Sequence, residues 1–253
     1  MAVTWAYKGR SAADFEDLLR CYRASELASP RRSTVPLLAY WSDAERRLSE
    51  FSSMVGVSLS DGVLLDFEHE VPVQRGIGQP SCTDLMILGK HVAAAVEAKF
   101  TESRYEPVRT WLHSPPDANR DEVLSGWLTL LSQSTRRRLT TADVLDLPYQ
   151  LVHRAAAACY THAREPWLVY QVFDVPLQKH EIYCEDLRAL ATLLGDDRRL
   201  AMRLVDCVLV RNERYTTLEA TWDSGERDLH EEVIHGLITR NLLQVSVRQV
   251  VAV

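Results

Sequence analysis

The chain has 253 residues, enough for one large domain or two small ones, and its 46% hydrophobic and 25% charged residues are those of an ordinary globular protein. A formal net charge of −6 argues against a protein that coats nucleic acid nonspecifically, although Arg31-Arg32 and Arg136-Arg137-Arg138 leave room for a local basic groove. Apolar runs are too short for a membrane helix, the N-terminus carries charges where a signal peptide needs apolar residues, and five scattered cysteines form no CxxC pair, so the expectation is a cytoplasmic protein with reduced thiols, no zinc ribbon and no membrane partner.

In chain order, residues 11–27 predict a helix and SPRRSTVP a loop. From Pro36 to about Met54, Leu37, Trp41, Ala44, Leu48 and Phe51 recur at helical spacing. VLLDFEHEVPV (63–73) predicts a strand, QRGIGQPS a turn-rich connection, and TDLMILGKHVAAAVEAKF (83–100) a hairpin. A loop broken by Pro115-Pro116 covers 106–119, RDEVLSGWLTLLSQ is a helix, and STRRRLTT is a basic loop. Pro148 suits the first turn of a further helix, PYQLVHRAAAACYTHA, and PWLVYQVFDV is a strand. Beyond it, YCEDLRALATLLG predicts a helix, MRLVDCVLV and YTTLEATW two strands, RDLHEEVIHGLITRNLL a helix and VSVRQVVAV a last strand. The order α-β-β-β-α-β implies an α/β protein, a mixed sheet core flanked by helices on both faces. No linker interrupts the chain, so 1–253 is expected to be a single domain, with a core over about 36–175 and a C-terminal α/β extension over about 176–253.

The hairpin holds the question of function. With Gly89-Lys90 as a two-residue loop, Leu88 pairs with His91 and Asp84 lies opposite Ala95. Asp84 and Glu97 then become diagonal neighbours on one face, roughly 7–8 Å apart at the backbone, with Lys99 one repeat further. Met86, Leu88, Ala93 and Ala95 share that face, and the other is wholly apolar. Charges in such surroundings are costly unless paired or metal-bound. An internal salt bridge of Lys99 with Glu97 or Asp84 is one outcome; two carboxylates converging on one hard cation is the other.

These residues resemble the signature of the PD-(D/E)XK nuclease superfamily, whose fold is restriction-endonuclease-like. In that family an aspartate on one core strand and a Glu-x-Lys on the next surround a divalent metal; the matching positions are Asp84, Glu97 and Lys99. Pro80 lies four residues before Asp84 rather than beside it. VEAKFTE and PYQLVHRAAAA are similar to a branch of bacterial nuclease-like proteins with an E-x-K-x-T-E strand and a Tyr-Gln-Leu helix, which makes Gln150 a further active-site position. The likeness spans residues 36–175 in element order but about a dozen residues in detail.

The resemblance implies a Mg²⁺- (or Mn²⁺-) dependent nuclease, an endo- or exonuclease hydrolysing phosphodiester bonds in nucleic acid, with DNA as the leading substrate; it also allows a homodimer. Asp84, Glu97 and the Ala98 carbonyl would hold the metal, and Lys99 would orient or deprotonate the attacking water, its own pKa open in either direction. A glutamate from the preceding helix often joins such sites. On a continuous helix starting from Leu37, Glu45 falls about 80° round, on the rim of the buried stripe, and Glu50 falls on the solvated side, so Glu45 is the choice; a rim salt bridge with an arginine is its other reading. Glu68 and Glu70 on the first strand are rival third carboxylates. Gln150, Arg154, Ala157 and Thr161 line one helical stripe, ordinarily the solvent side, and the resemblance promotes Gln150 and Arg154 to phosphate or water contacts. Arg136, Arg137, Arg138 and Arg154 are the candidate nucleic-acid contacts. A catalytically inactive, nuclease-like binding module in a defence or repair complex is the alternative. HEEVIH at 230–235 has its histidines five apart, not four, and is set aside with His153, His162 and Cys82.

Overall fold

The computed structural model describes every residue except Met1, Ser58, Ser60, Asp61, Ser114, Pro115, Pro116 and Arg136. The Pro115-Pro116 break and Arg136 therefore lie outside the described residues. The strands are β1 (Val3–Tyr7), β2 (Arg10–Ala12), β3 (Val63–Val71), β4 (Ser81–Leu88), β5 (Val92–Lys99), β6 (Glu165–Phe173), β7 (Ala201–Arg211) and β8 (Leu243–Ala252). They form one mixed sheet in the order β2-β1-β3-β4-β5-β6-β7-β8. β1 runs parallel to β3, and β5, β6 and β7 run parallel to one another, while the remaining pairs are antiparallel.

The helices are α1 (Phe15–Cys21), α2 (Ala24–Leu27), α3 (Thr34–Trp41), α4 (Ala44–Val55), α5 (Val108–Leu112), α6 (Ala118–Ser132), α7 (Thr141–Val144), α8 (Tyr149–Tyr160), α9 (Leu177–Leu194), α10 (Glu213–Asp223) and α11 (His230–Ile238). They cover both faces. Leu85, Ile87, Ala94 and Val96 bury against Leu18, Leu48, Tyr215 and Val233 from α1, α4, α10 and α11. Met86, Ala93, Ala95 and Leu168 bury against Trp127, Leu151 and Leu187 from α6, α8 and α9. β5 is buried along its whole length because it is central and covered on both faces, which is why its sequence is continuously apolar before Glu97. Ala155 to Ala158 of α8 have no exposed surface. Small side chains on both partners let α8 lie close over the alanines of β5, so enlarging Ala156 to leucine would overpack the seam by about 1–3 kcal/mol.

Several expectations are corrected. The N-terminal β1 and β2 were not expected, and the 11–27 segment is split into a short strand and two short helices. The 36–54 helix is two helices, broken at Ser42-Asp43. YTTLEATW is helical: Asn212 caps α10 by accepting from the Tyr215 N–H at 2.9 Å, and Tyr215 anchors it in the core. The 106–119 segment contains α5. The last helix ends at Ile238, and β8 begins at Leu243.

β3 contains one irregularity that matters for the site. Leu65 and Phe67 bury in the first core but Val71 buries in the second, although all three are odd-numbered. Between them Glu68 has φ of 51°, in the left-handed region that costs a non-glycine residue about 1–2 kcal/mol. The left-handed residue turns the strand over.

Candidate active site

Asp84 sits where two ladders are interrupted. On one side, Phe67–Leu85 and His69–Thr83 are paired, and the step between them sets Asp84 across from the left-handed Glu68. On the other, the β4–β5 ladder runs from Leu88–Ala93 to Leu85–Val96. Gly89 N–H donates to the Val92 carbonyl at 2.9 Å, so the turn residues are Lys90 and His91, not Gly89 and Lys90. That moves the register by two and leaves parity unchanged. One further step brings Asp84 directly across from Glu97 rather than diagonal to it. There the strands part, and the Asp84 carboxylate accepts the Ala98 backbone N–H at 2.7 Å.

Glu97 and Lys99 point to the face covered by α8 and are 2% and 3% exposed. Lys99 Nζ donates to Glu97 Oε1 at 2.8 Å and to Gln150 Oε1 at 2.6 Å. Arg154 Nε donates to the other Glu97 oxygen, Oε2. Arg154 Nη1 donates to Ser81 Oγ at 2.9 Å, and Ser81 Oγ lies 2.7 Å from His153 Nδ1. Arg154 Nη1 also lies 3.3 Å from His153 Nδ1, and an arginine only donates, so Nδ1 is an acceptor and the neutral imidazole carries its hydrogen on Nε2. The polar stripe of α8 thus faces the sheet, because the cluster on β5 gives Gln150 and Arg154 partners that solvent would otherwise supply.

The charges set the titration of the group. Burial, then the charges of Glu97 and Glu68, push the Asp84 carboxyl well above the carboxylate range, despite opposition from Arg154 and Lys99. Burial also works to raise Glu97, but Arg154 and Lys99 outweigh it and hold Glu97 below its ordinary value. Burial opposes the charge of Lys99, and Glu97 and Asp84 more than offset it, so Lys99 is raised and stays an ammonium at neutral pH. Burial, Arg154 and Lys99 hold His153 well below its usual value.

Other expected residues fall elsewhere. Glu45 is exposed: the break at Ser42-Asp43 resets the helical phase, so an angle counted from Leu37 does not apply to it. Glu50 binds Arg46 and Arg47. Glu70 is exposed and pairs with Lys8. Glu68 is the third carboxylate the fold brings beside Asp84; it accepts from the Cys82 thiol at 3.0 Å, and burial raises its pKa. Arg154 is a buried partner of Glu97, set inside the site and not in a basic surface groove. Arg137 donates to the Leu193 carbonyl at the end of α9. Arg138 lines a depression of about 360 Å³ together with Arg75 and hydroxyls of α6. Thr101 and Glu102 are ties: Thr101 donates to the Arg31 carbonyl, and Glu102 accepts from the N–H groups of Ser33 and Phe100. Ser81 and His153 were not among the expected residues. The signal for His153 was available, since 150, 153 and 154 share one face of a helix.

A divalent metal can be weighed against these donors. They are oxygen atoms of Asp84, Glu97 and Glu68, the chemistry that Mg²⁺ takes. The Asp84 carboxyl is raised by burial first and by the charges of Glu97 and Glu68 second, and a dication beside it would favour its ionised form. The donor set therefore fits in kind. Its arrangement is closed, because both Glu97 oxygens carry cationic partners, and among the described residues no three His, Cys, Asp or Glu side chains converge as a metal group. Among the described residues no helix is long and apolar enough to cross a membrane.

No curated protein and no solved structure matches the chain. A match to the domain of unknown function DUF6946 covers residues 10–216, and the chain belongs to that family.

Proposed function

We propose that the chain is a Mg²⁺-dependent nuclease of restriction-endonuclease-like fold, hydrolysing phosphodiester bonds in nucleic acid, with DNA as the leading substrate. One observation carries this: Asp84 lies across from Glu97 where the β4–β5 ladder ends and accepts the Ala98 N–H, with Lys99 bonded to both Glu97 and Gln150. Asp84, Glu97 and the Ala98 carbonyl would hold the ion, with Glu68 as third carboxylate. When bound, the ion lowers the pKa of a water and neutralises phosphate charge. Lys99, held between Glu97 and Gln150, would donate to the phosphate oxygens as negative charge grows on them. Gln150 fixes the direction of that ammonium, and Arg154 balances Glu97.

A second reading is favoured by a specific observation. With both Glu97 oxygens bound by Lys99 and Arg154, the cluster also suits a non-catalytic nuclease-like module whose ion pairs replace the metal. Thermal midpoints with Mg²⁺ and Mn²⁺, and cleavage of linear, circular, branched and single-stranded substrates, separate the two. For a nuclease, metal raises the midpoint of wild type but not of Asp84→Ala, and Lys99→Ala abolishes cleavage while keeping the metal shift. Nucleic-acid binding with neither metal shift nor cleavage supports the binding module.

A further inference from the structure

We propose that the cavity beside Lys99 is a nucleobase pocket, which makes the preferred substrate a strand with an unstacked base: single-stranded, frayed or mismatched nucleic acid. The inference rests on the nuclease reading of the same site and names its substrate class. The cavity holds about 330 Å³, at the lower end of small-molecule pockets. Its walls include Tyr105, Trp127, Tyr149, Gln150, His153 and Arg154.

The back wall is rigid. Trp127 Nε1 donates to the Tyr149 hydroxyl at 3.2 Å, and the Tyr149 ring stacks on Trp111 at 3.7 Å with 7° between the planes. The outer wall is different: Tyr105 is 50% exposed, and its ring lies 5.4 Å from Lys99 Nζ. An exposed aromatic ring beside the lysine that would meet the phosphate offers a base a π-face next to the reacting centre. Three of the polar groups in the lining present donors. Arg154 only donates, His153 carries its hydrogen on Nε2, and Gln150 gives its oxygen to Lys99, leaving the amide nitrogen without a partner among the described residues. Such a set matches the acceptor atoms of a base edge. A base inside a duplex cannot enter a pocket of this kind without leaving the stack. Stacking also supplies affinity that a chain of net charge −6 does not draw from the phosphate backbone.

The test uses the full chain in EDTA, so that binding is read without cleavage. Anisotropy compares a short labelled single strand, the same strand with abasic sites, and its duplex, in DNA and RNA versions. Wild type is expected to prefer the intact strand over the abasic one and over the duplex by roughly 5- to 150-fold, the range of one base–aromatic stack. Tyr105→Leu should erase the preference and Tyr105→Phe should keep it; Tyr105 is exposed enough that neither change threatens the fold. The DNA and RNA versions identify which strand supplies the base. Equal affinity for intact and abasic strands, a preference that survives Tyr105→Leu, or no binding to any strand overturns the pocket. Cleavage of the same strands with Mg²⁺ is scored separately. Cleavage without base preference overturns the pocket and keeps the nuclease, whereas base preference without cleavage keeps the pocket and removes the nuclease.

Discussion

Replacing Arg154 by methionine tests whether the charge cluster is as dry in solution as its burial implies. Arg154 is 7% exposed and Glu97 2%. Removing one member of a buried pair strands the other, at about 3–5 kcal/mol, whereas an exposed pair contributes about 0–1 kcal/mol. Glu97 keeps Lys99 in the variant, which places the loss near the lower end, about 3 kcal/mol. For a chain of this size each kcal/mol lowers the midpoint by roughly 2–4 °C, so thermal unfolding should fall by about 6–12 °C. At a urea slope near 3 kcal/mol/M, the urea midpoint should drop by roughly 1 M. Adding Glu97→Gln to the variant removes the stranded charge. The double variant should therefore be more stable than the sum of the single losses, by at least about 1 kcal/mol. A single-variant loss below about 1 kcal/mol, with additive behaviour in the double, would show that water reaches the pair and that the charge balance assigned to Arg154 is mistaken.

Three other outcomes are expected. Asp84 has a raised folded-state pKa, so its stabilisation is complete below the unfolded value near 3.9 and is lost as pH rises through the folded value; Asp84→Asn should therefore gain stability over wild type as pH rises from 4 to 8 in metal-free buffer, and parallel pH curves would refute this. Glu45→Gln should leave stability within about 0.5 kcal/mol and activity unchanged, while Glu68→Gln should weaken the Mn²⁺-induced rise in thermal midpoint. Gly76 has φ of 70°, and a Cβ there would meet Asn119 Oδ1 at 2.7 Å, the oxygen that accepts the Ile77 N–H, so Gly76→Ala should lose about 1–2 kcal/mol and expose the 74–80 loop to proteolysis.

The hairpin was legible because two apolar runs flank one glycine-bearing turn, with Asp84, Glu97 and Lys99 in step on one face and only apolar residues on the other. The turn was misplaced by one residue because Gly89-Lys90 carries the stronger local signal, while the Gly89–Val92 hydrogen bond decides for Lys90-His91. Parity survived that error, and so did the pairing of carboxylates. The turnover at Glu68 had no mark in the sequence, since a left-handed residue without glycine or asparagine is chosen by its surroundings. The Ser42-Asp43 break was hidden because the apolar spacing continues across it, and Glu45 was misassigned with it. YTTLEATW has strand-like residues, but the Asn212 cap and the burial of Tyr215 overrule local preference.

The parallel pairing of β5 with β6 has a consequence for synthesis. Val92 and its β6 partner Glu165 are 73 residues apart. At roughly 5–20 residues per second, about 4–15 s separate the emergence of β5 from that of the strand that completes it. Arg154 also follows Glu97 by 57 residues. During that interval the nascent chain holds an apolar strand with one open edge, and Glu97 and Lys99 have no α8 partners. The most buried strand of the finished protein is thus the one whose completion waits longest on the ribosome, and slow decoding between residues 100 and 165 would lengthen its exposure to other strands.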